Sequence, residues 1–128
     1  MSLKLRIVSG QFAVAQLAPD SDMPSWLPKS GFVAAVRSDD ELTIVCDAAA
    51  VPTSVRSERN WLCLRTVGPF AFQATGIVQS LISPLSSNGI GFFVICTFDG
   101  EHLLIQEADW EQAQDHLKQA GHVFLSGA

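Results

Sequence analysis

Short apolar runs alternate with turn-forming residues along the chain, and the same succession of runs occurs twice. GFVAAVRSDDELTIVC begins at Gly31 and GFFVICTFDGEHLLIQ begins at Gly91. At an offset of 60 residues, Gly31 falls on Gly91, Phe32 on Phe92, Asp39 on Asp99 and Glu41 on Glu101. Upstream, LRIVSGQFA from Leu5 parallels LRTVGPFA from Leu64 with one residue gapped. Self-similarity at a fixed spacing marks a duplicated supersecondary unit. The chain is therefore read as two copies of one plan, residues 1–60 and 61–128.

The second copy is the more regular. Residues 61–67 are rich in β-branched and aromatic side chains and end at Gly68-Pro69, which predicts a strand and its stop. Phe72, Ile77, Leu81 and Leu85 lie near helical spacing and predict a helix over 72–86, with Pro84 bending its last turn or ending it early. Asn88-Gly89 stops it. Residues 90–98 predict a buried strand, Asp99-Gly100 a hairpin turn, and residues 102–105 the returning strand. Trp110, Ala113 and Leu117 share one face of a second helix with Gly121 past its end, and residues 122–125 form a last short strand. The order is βαββαβ.

In the first copy, residues 3–8 and 12–17 predict two strands turning at Ser9-Gly10. Pro19, Pro24 and Pro28 then occupy the place of the first helix, and three prolines in so short a stretch forbid one. A hairpin over 32–46 turns at Asp39-Asp40, and Asp47 is placed to cap a single turn through Ala50 before Pro52 closes it. SVRSERN reads as a charged connector. The fold class is α+β: tandem ferredoxin-like units, the first lacking its first helix. A half without that helix cannot cover its sheet alone and must lean on the other.

Composition narrows the function more than the fold. With 128 residues and 13.8 kDa, the chain is too short for a dehydrogenase, a kinase or a barrel enzyme holding both cofactor and substrate. It is 48% apolar and 16% charged, with mean hydropathy +0.25, as expected of a folded chain with much to bury. A net charge of −5 provides no basic footprint for nucleic acid or an anionic membrane surface. Cys46, Cys63 and Cys96 form no C-x-x-C pair and sit in apolar runs, so each is expected to be a small buried hydrophobe. Ser9, Gly10, Gln11 and Gln16 interrupt the apolar stretch near the start, and no run approaches the ~20 residues of a membrane span. A cytoplasmic location is expected.

The repeated βαββαβ unit, with a Gly-Pro turn and an Asp at the hairpin, resembles the small bacterial tandem ACT-domain proteins, relatives of aspartate-kinase regulatory regions and animal arginine sensors. The resemblance rests on RSERNWLCLRTVGPFAFQATGIVQSLISPLSSNGIGFFVICTFDGEHLLI and the flanking WLPKSGFVAAVRSDDELTIVC. Family members usually read Ser-Thr-Tyr-Asp-Thr-Asp where this chain has Cys96-Thr97-Phe98-Asp99-Gly100-Glu101. The resemblance implies a free amino acid bound at the seam between two such units, near the loop after the first strand of one and the edge strand of its neighbour.

A ligand of that kind needs amides for its carboxylate, which a helix N-terminus provides. Gly68 admits close approach to the backbone, and the amides over 70–73 are the expected donors. The first and second strands of the second copy run parallel with one strand between, so the 67–68 loop and the 97–99 turn share a sheet edge, about 10 Å apart at ~4.8 Å per strand. The expected ligand contacts are Val67, Gly68 and Phe70 on one side and Thr97, Phe98 and Asp99 on the other. Phe70, Phe72 and Phe98 either line a pocket or plug it, so a structural or partner-binding ACT module without a ligand stays open beside the regulatory reading.

Catalysis finds little support: the chain has no G-x-S-x-G elbow, no Gly-rich phosphate loop and no H-E-x-x-H. His102, His116 and His122 show no ligand spacing, so neither metal nor cofactor is expected. The uncharged run IGFFVICTF falls on an edge strand of this topology. Such an edge is covered or paired in natural proteins, which predicts a homodimer, internal pairing with residues 32–37, or both.

Overall fold

The protein, described by a computed structural model over residues 1–68, 70 and 75–126, has seven strands and two α-helices among those residues. It divides into two compact units, one of Gly10–Trp61 and one of Met1–Ser9 with Leu62–Ala128. The second unit thus takes in nine N-terminal residues that the repeat grouped with residues 10–60. Two strands pass from one unit to the other, β1 (Lys4–Leu17) and β4 (Ser57–Thr66). Each has a positive φ close to the passage, at Gly10 (107°) and Asn60 (68°).

In Gly10–Trp61 the strand order is β2 (Ala34–Arg37), β3 (Leu42–Asp47), β1. The antiparallel register sets Ala13 opposite Cys46, Ala15 opposite Ile44 and Leu17 opposite Leu42. With a side-chain period of two, these pairs share one face, and all but Leu17 are buried. Residues 18–33 hold no helix. Trp26 and Leu27 from that proline-rich segment pack on the buried face instead. Arg37 pins the segment through its guanidinium, which donates to the carbonyls of Pro19 and Ser21. Asp47 accepts the Ala49 amide at 2.9 Å and caps a 3₁₀ turn over Ala48–Ala50, as expected.

Two readings of this stretch are corrected. No hairpin forms at Ser9-Gly10; β1 runs through it, because a glycine at positive φ bends a strand without reversing it. The charged SVRSERN is not all connector, since β4 begins at Ser57. Ser57 to Asn60 alternate half-buried and exposed, so charged Glu58 is an outward position of a strand.

In the other unit the order is β7 (Val123–Phe124), β1, β4, β6 (Glu101–Gln106), β5 (Phe93–Cys96). The last strand therefore pairs in parallel with β1, Lys4 opposite Val123 and Leu5 opposite Phe124. Leu3 and Leu5 join Leu64, Leu103 and Ile105 in a core closed by α1 (Ile77–Ser86) and α2 (Trp110–Gln119), which contribute Leu81, Leu85, Ala113 and Leu117. Gly121 follows α2 at φ 96°, the expected left-handed stop.

Helix α1 begins at Ile77; Thr75 and Gly76 precede it outside the helix, and Phe72 with its neighbours at 71–74 lies outside the described residues. Pro84 does not end it, for the helix runs on to Ser86. A proline there cannot donate to the carbonyl of Ser80 four residues back. His122 Nε2 lies 2.8 Å from that oxygen and must donate to it, leaving Nδ1 to accept the Leu3 N–H at 3.1 Å. One buried imidazole (4% exposed) thus satisfies the helix and holds the N-terminal strand. Strand β5 is shorter than the run 90–98. Ile90 N–H is taken by Leu85 O in closing α1, and Thr97 N–H by Gly100 O in the hairpin turn. β2 and β5 are edge strands, hydrogen-bonded to β3 and β6 respectively and not to each other.

Candidate functional site

The loop after β4 and the turn between β5 and β6 meet within the C-terminal unit. A Cβ on Gly68 would stand 2.6 Å from the Asp99 carbonyl oxygen and 3.1 Å from the Phe70 nitrogen. The two segments are in direct contact, not one strand apart as their strand ends imply. Gly68 is required there by backbone proximity.

Two adjoining surface cavities open around this contact. One, of about 340 Å³, is lined by Phe70, the residues from Gly76 to Gln79 and the run from Cys96 to Glu101. The other, of about 360 Å³, is lined by Arg65, Thr66, Gly68, Thr97, Asp99, Gly100, Glu101 and His102. Of the expected contacts, Gly68, Phe70, Thr97, Phe98 and Asp99 are brought together. Val67 is not among the lining residues, and its N–H donates to Lys4 O at 2.9 Å within the sheet. Phe98 is 81% exposed and does not plug the cavity it borders, while Phe70 is half-buried against the core. The amides at the helix start are those of Ile77, Val78 and Gln79 rather than those over 70–73, of which 71–73 lie outside the described residues.

Glu101 was not singled out for the site by sequence, yet it lines both cavities while 9% exposed. Its Oε1 accepts the Thr66 hydroxyl at 3.0 Å, and its backbone N–H donates to the same hydroxyl at 3.0 Å. The available signal was an acidic residue at the end of a hairpin turn, indistinguishable in sequence from a solvated one. Beside it, burial first and the Arg65 charge second push the His102 imidazole below its usual 6.5. Cys63 is buried and its thiol pushed up to about 12 by desolvation, whereas Cys96, expected inside, is exposed at the cavity rim. Among the described residues no three His, Cys, Asp or Glu side chains gather as a metal site, and no helix is long and apolar enough to cross a membrane.

A largely antiparallel sheet backed by two helices, with its candidate site at the first loop and the hairpin turn, defines an ACT-type fold. The ACT-domain family model matches residues 56–119, and a model for an N-terminal domain matches residues 10–54. The chain belongs to the ACT-domain family. It is similar to an Agobacterium tumefaciens protein solved by X-ray crystallography, 47% identical over 100% of this chain and 96% of that one, with a TM-score of 0.94. A Vibrio cholerae protein described as a possible transport protein is 18% identical over 94% of this chain and 91% of its own, at TM-score 0.74. Aspartate kinase from Clostridium acetobutylicum shares the fold at TM-score 0.66 and 15% identity, over 88% of this chain and 33% of the kinase. No curated protein matches the chain.

Proposed function

We propose that the protein is a non-enzymatic, cytoplasmic regulatory module that binds a free amino acid where Gly68 and Phe70 meet Thr97, Phe98 and Asp99. The observation that carries this reading is a nine-tenths buried carboxylate, Glu101, on the wall of a cavity that also takes in the first turn of α1. A ligand carboxylate meets the amides of that turn and its positive dipole end. The ammonium meets Glu101. A volume of about 340 Å³ is within the range of small-molecule sites. A thermal-shift series over the twenty amino acids tests it, since selective binding to the native state raises its melting point, by about 2.7 kcal/mol of stability at a hundredfold excess over Kd. A flat response to all twenty leaves the structural ACT module as the reading.

A second copy is part of the proposal. β5 has a single hydrogen-bonded neighbour among the described strands, and Phe98 stands exposed at its end, a combination that favours edge pairing across a twofold axis. Light scattering over a wide concentration range is expected to show a dimer; a strictly 13.8 kDa species at high concentration overturns it.

A further inference from the structure

Thr66 is 2% exposed and ends β4 beneath the hairpin turn. Its hydroxyl accepts the Glu101 N–H and donates to Glu101 Oε1, both at 3.0 Å. A Cβ on Gly100 would come within 2.8 Å of that hydroxyl, so the glycine of the turn makes room for it. Thr66 is the donor that the described residues offer the Glu101 side chain. A glutamate has three rotatable bonds, and a buried one left to itself turns its carboxylate to whatever N–H it reaches. With both the main-chain N–H and one carboxylate oxygen tied to a single hydroxyl, the carboxylate of this cavity-lining residue is restricted to one orientation.

We infer that Thr66 is a positioning residue for ligand recognition: its hydroxyl fixes Glu101 as a preorganised receptor for a protonated amine, and so sets the cavity's preference for ligands that carry one. The inference rests on the amino-acid reading of the same cavity. Preorganisation of this kind raises affinity by removing the ordering cost at binding, and it acts only through Glu101.

The probe is the amino acid giving the largest thermal shift with the wild-type chain, compared by calorimetry with its des-amino carboxylic acid. Thr66→Ser, which keeps the hydroxyl, is expected to bind within about threefold of wild type, and Thr66→Val to bind at least about tenfold more weakly, the scale of a charge-assisted hydrogen bond. Glu101→Gln is expected to erase the preference for the amino acid over its des-amino analogue. In that background Thr66→Val adds no further loss, which a merely structural role would not produce. Thr66→Ala replaces the valine variant should the latter not fold. Wild-type affinity in Thr66→Val, or a loss of the same size with and without Glu101, overturns the inference alone. A wild-type chain that answers to none of the twenty overturns the amino-acid reading and this inference with it, and is seen before any variant is made.

Discussion

Glu41 and Glu101 hold the same place in the two copies of the repeat, just past the hairpin turn, and their surroundings differ. Glu41, just before β3, is half-buried and takes the hydroxyl of Thr43, two residues on, at 2.7 Å. Glu101 is nine-tenths buried and takes the hydroxyl of Thr66 from the neighbouring strand. The residue that parallels Thr66 in the first copy is Ile7, 49% exposed. The segment that parallels α1 carries three prolines and closes its sheet with Trp26 and Leu27. A hairpin is held by its own turn chemistry wherever it recurs, whereas the proposed site draws on a neighbouring strand and a helix start together. Around Glu41 both are replaced and the hairpin stays.

The comparison breaks most sharply at the N-terminus. Residues 1–9 belong to the first copy by sequence and to the C-terminal unit by packing, where Leu3 and Leu5 are 3% and 0% exposed. Deleting them is expected to cost more than the ~2–5 kcal/mol of one buried leucine truncation and to unfold that unit, as followed by heteronuclear NMR. A C-terminal unit with unchanged dispersion and melting would make β1 a passenger there. His122→Ala orphans both the Leu3 N–H and the Ser80 carbonyl beside Pro84, for an expected loss of about 2–4 kcal/mol in urea unfolding. A loss under ~0.5 kcal/mol would show that water takes over both groups.

Gly68→Ala brings a Cβ against the Asp99 carbonyl, with an expected loss of about 1–3 kcal/mol and chemical-shift changes confined to the two cavity loops. For that reason a bulky residue at 68 is no clean probe of ligand binding. At position 102 the second copy has a histidine where the first has the fully buried Leu42. The folded His102 titrates below 6.5, so the unfolded chain binds a proton first and its contribution is lost as pH falls from 6.5 through the folded value. His102→Asn is expected to flatten part of the stability difference between pH 7.5 and 5; an identical slope in the variant refutes it. Smallest of all, Cys96 and its repeat partner Val36 are both exposed on edge strands. Alkylation of the native protein should label Cys96 and, in Val36→Cys, that position too, sparing Cys46 and Cys63. Labelling of Cys63 at neutral pH would contradict its burial.

Much of the order of elements was legible because turn chemistry and periodicity are local. Asp47 capping its turn, the prolines excluding a helix, and Gly121 ending α2 each follow from a few adjacent residues. Two misreadings share one cause: Ser9-Gly10 and SVRSERN look like breaks in isolation, and each is carried through by a strand, the continuing β1 ladder and the outward face of β4. Of the two outcomes open at Pro84, an early end is not the one taken, and the imidazole of His122 serves the carbonyl the proline leaves.

What the sequence determined by itself was an α+β fold, the absence of a helix over residues 18–33, and five of the six proposed site residues, which do gather at the cavities, since turn and loop motifs lie within short runs. Which strand β7 pairs with, that Gly68 touches Asp99, and that Glu101 is buried against Thr66 were decided by tertiary structure alone. Those contacts join residues from 31 to 119 positions apart, and no periodicity along a chain encodes which of several equivalent apolar edges will close over another. The packing of the core chooses the partner, and the chemistry of the site follows from that choice.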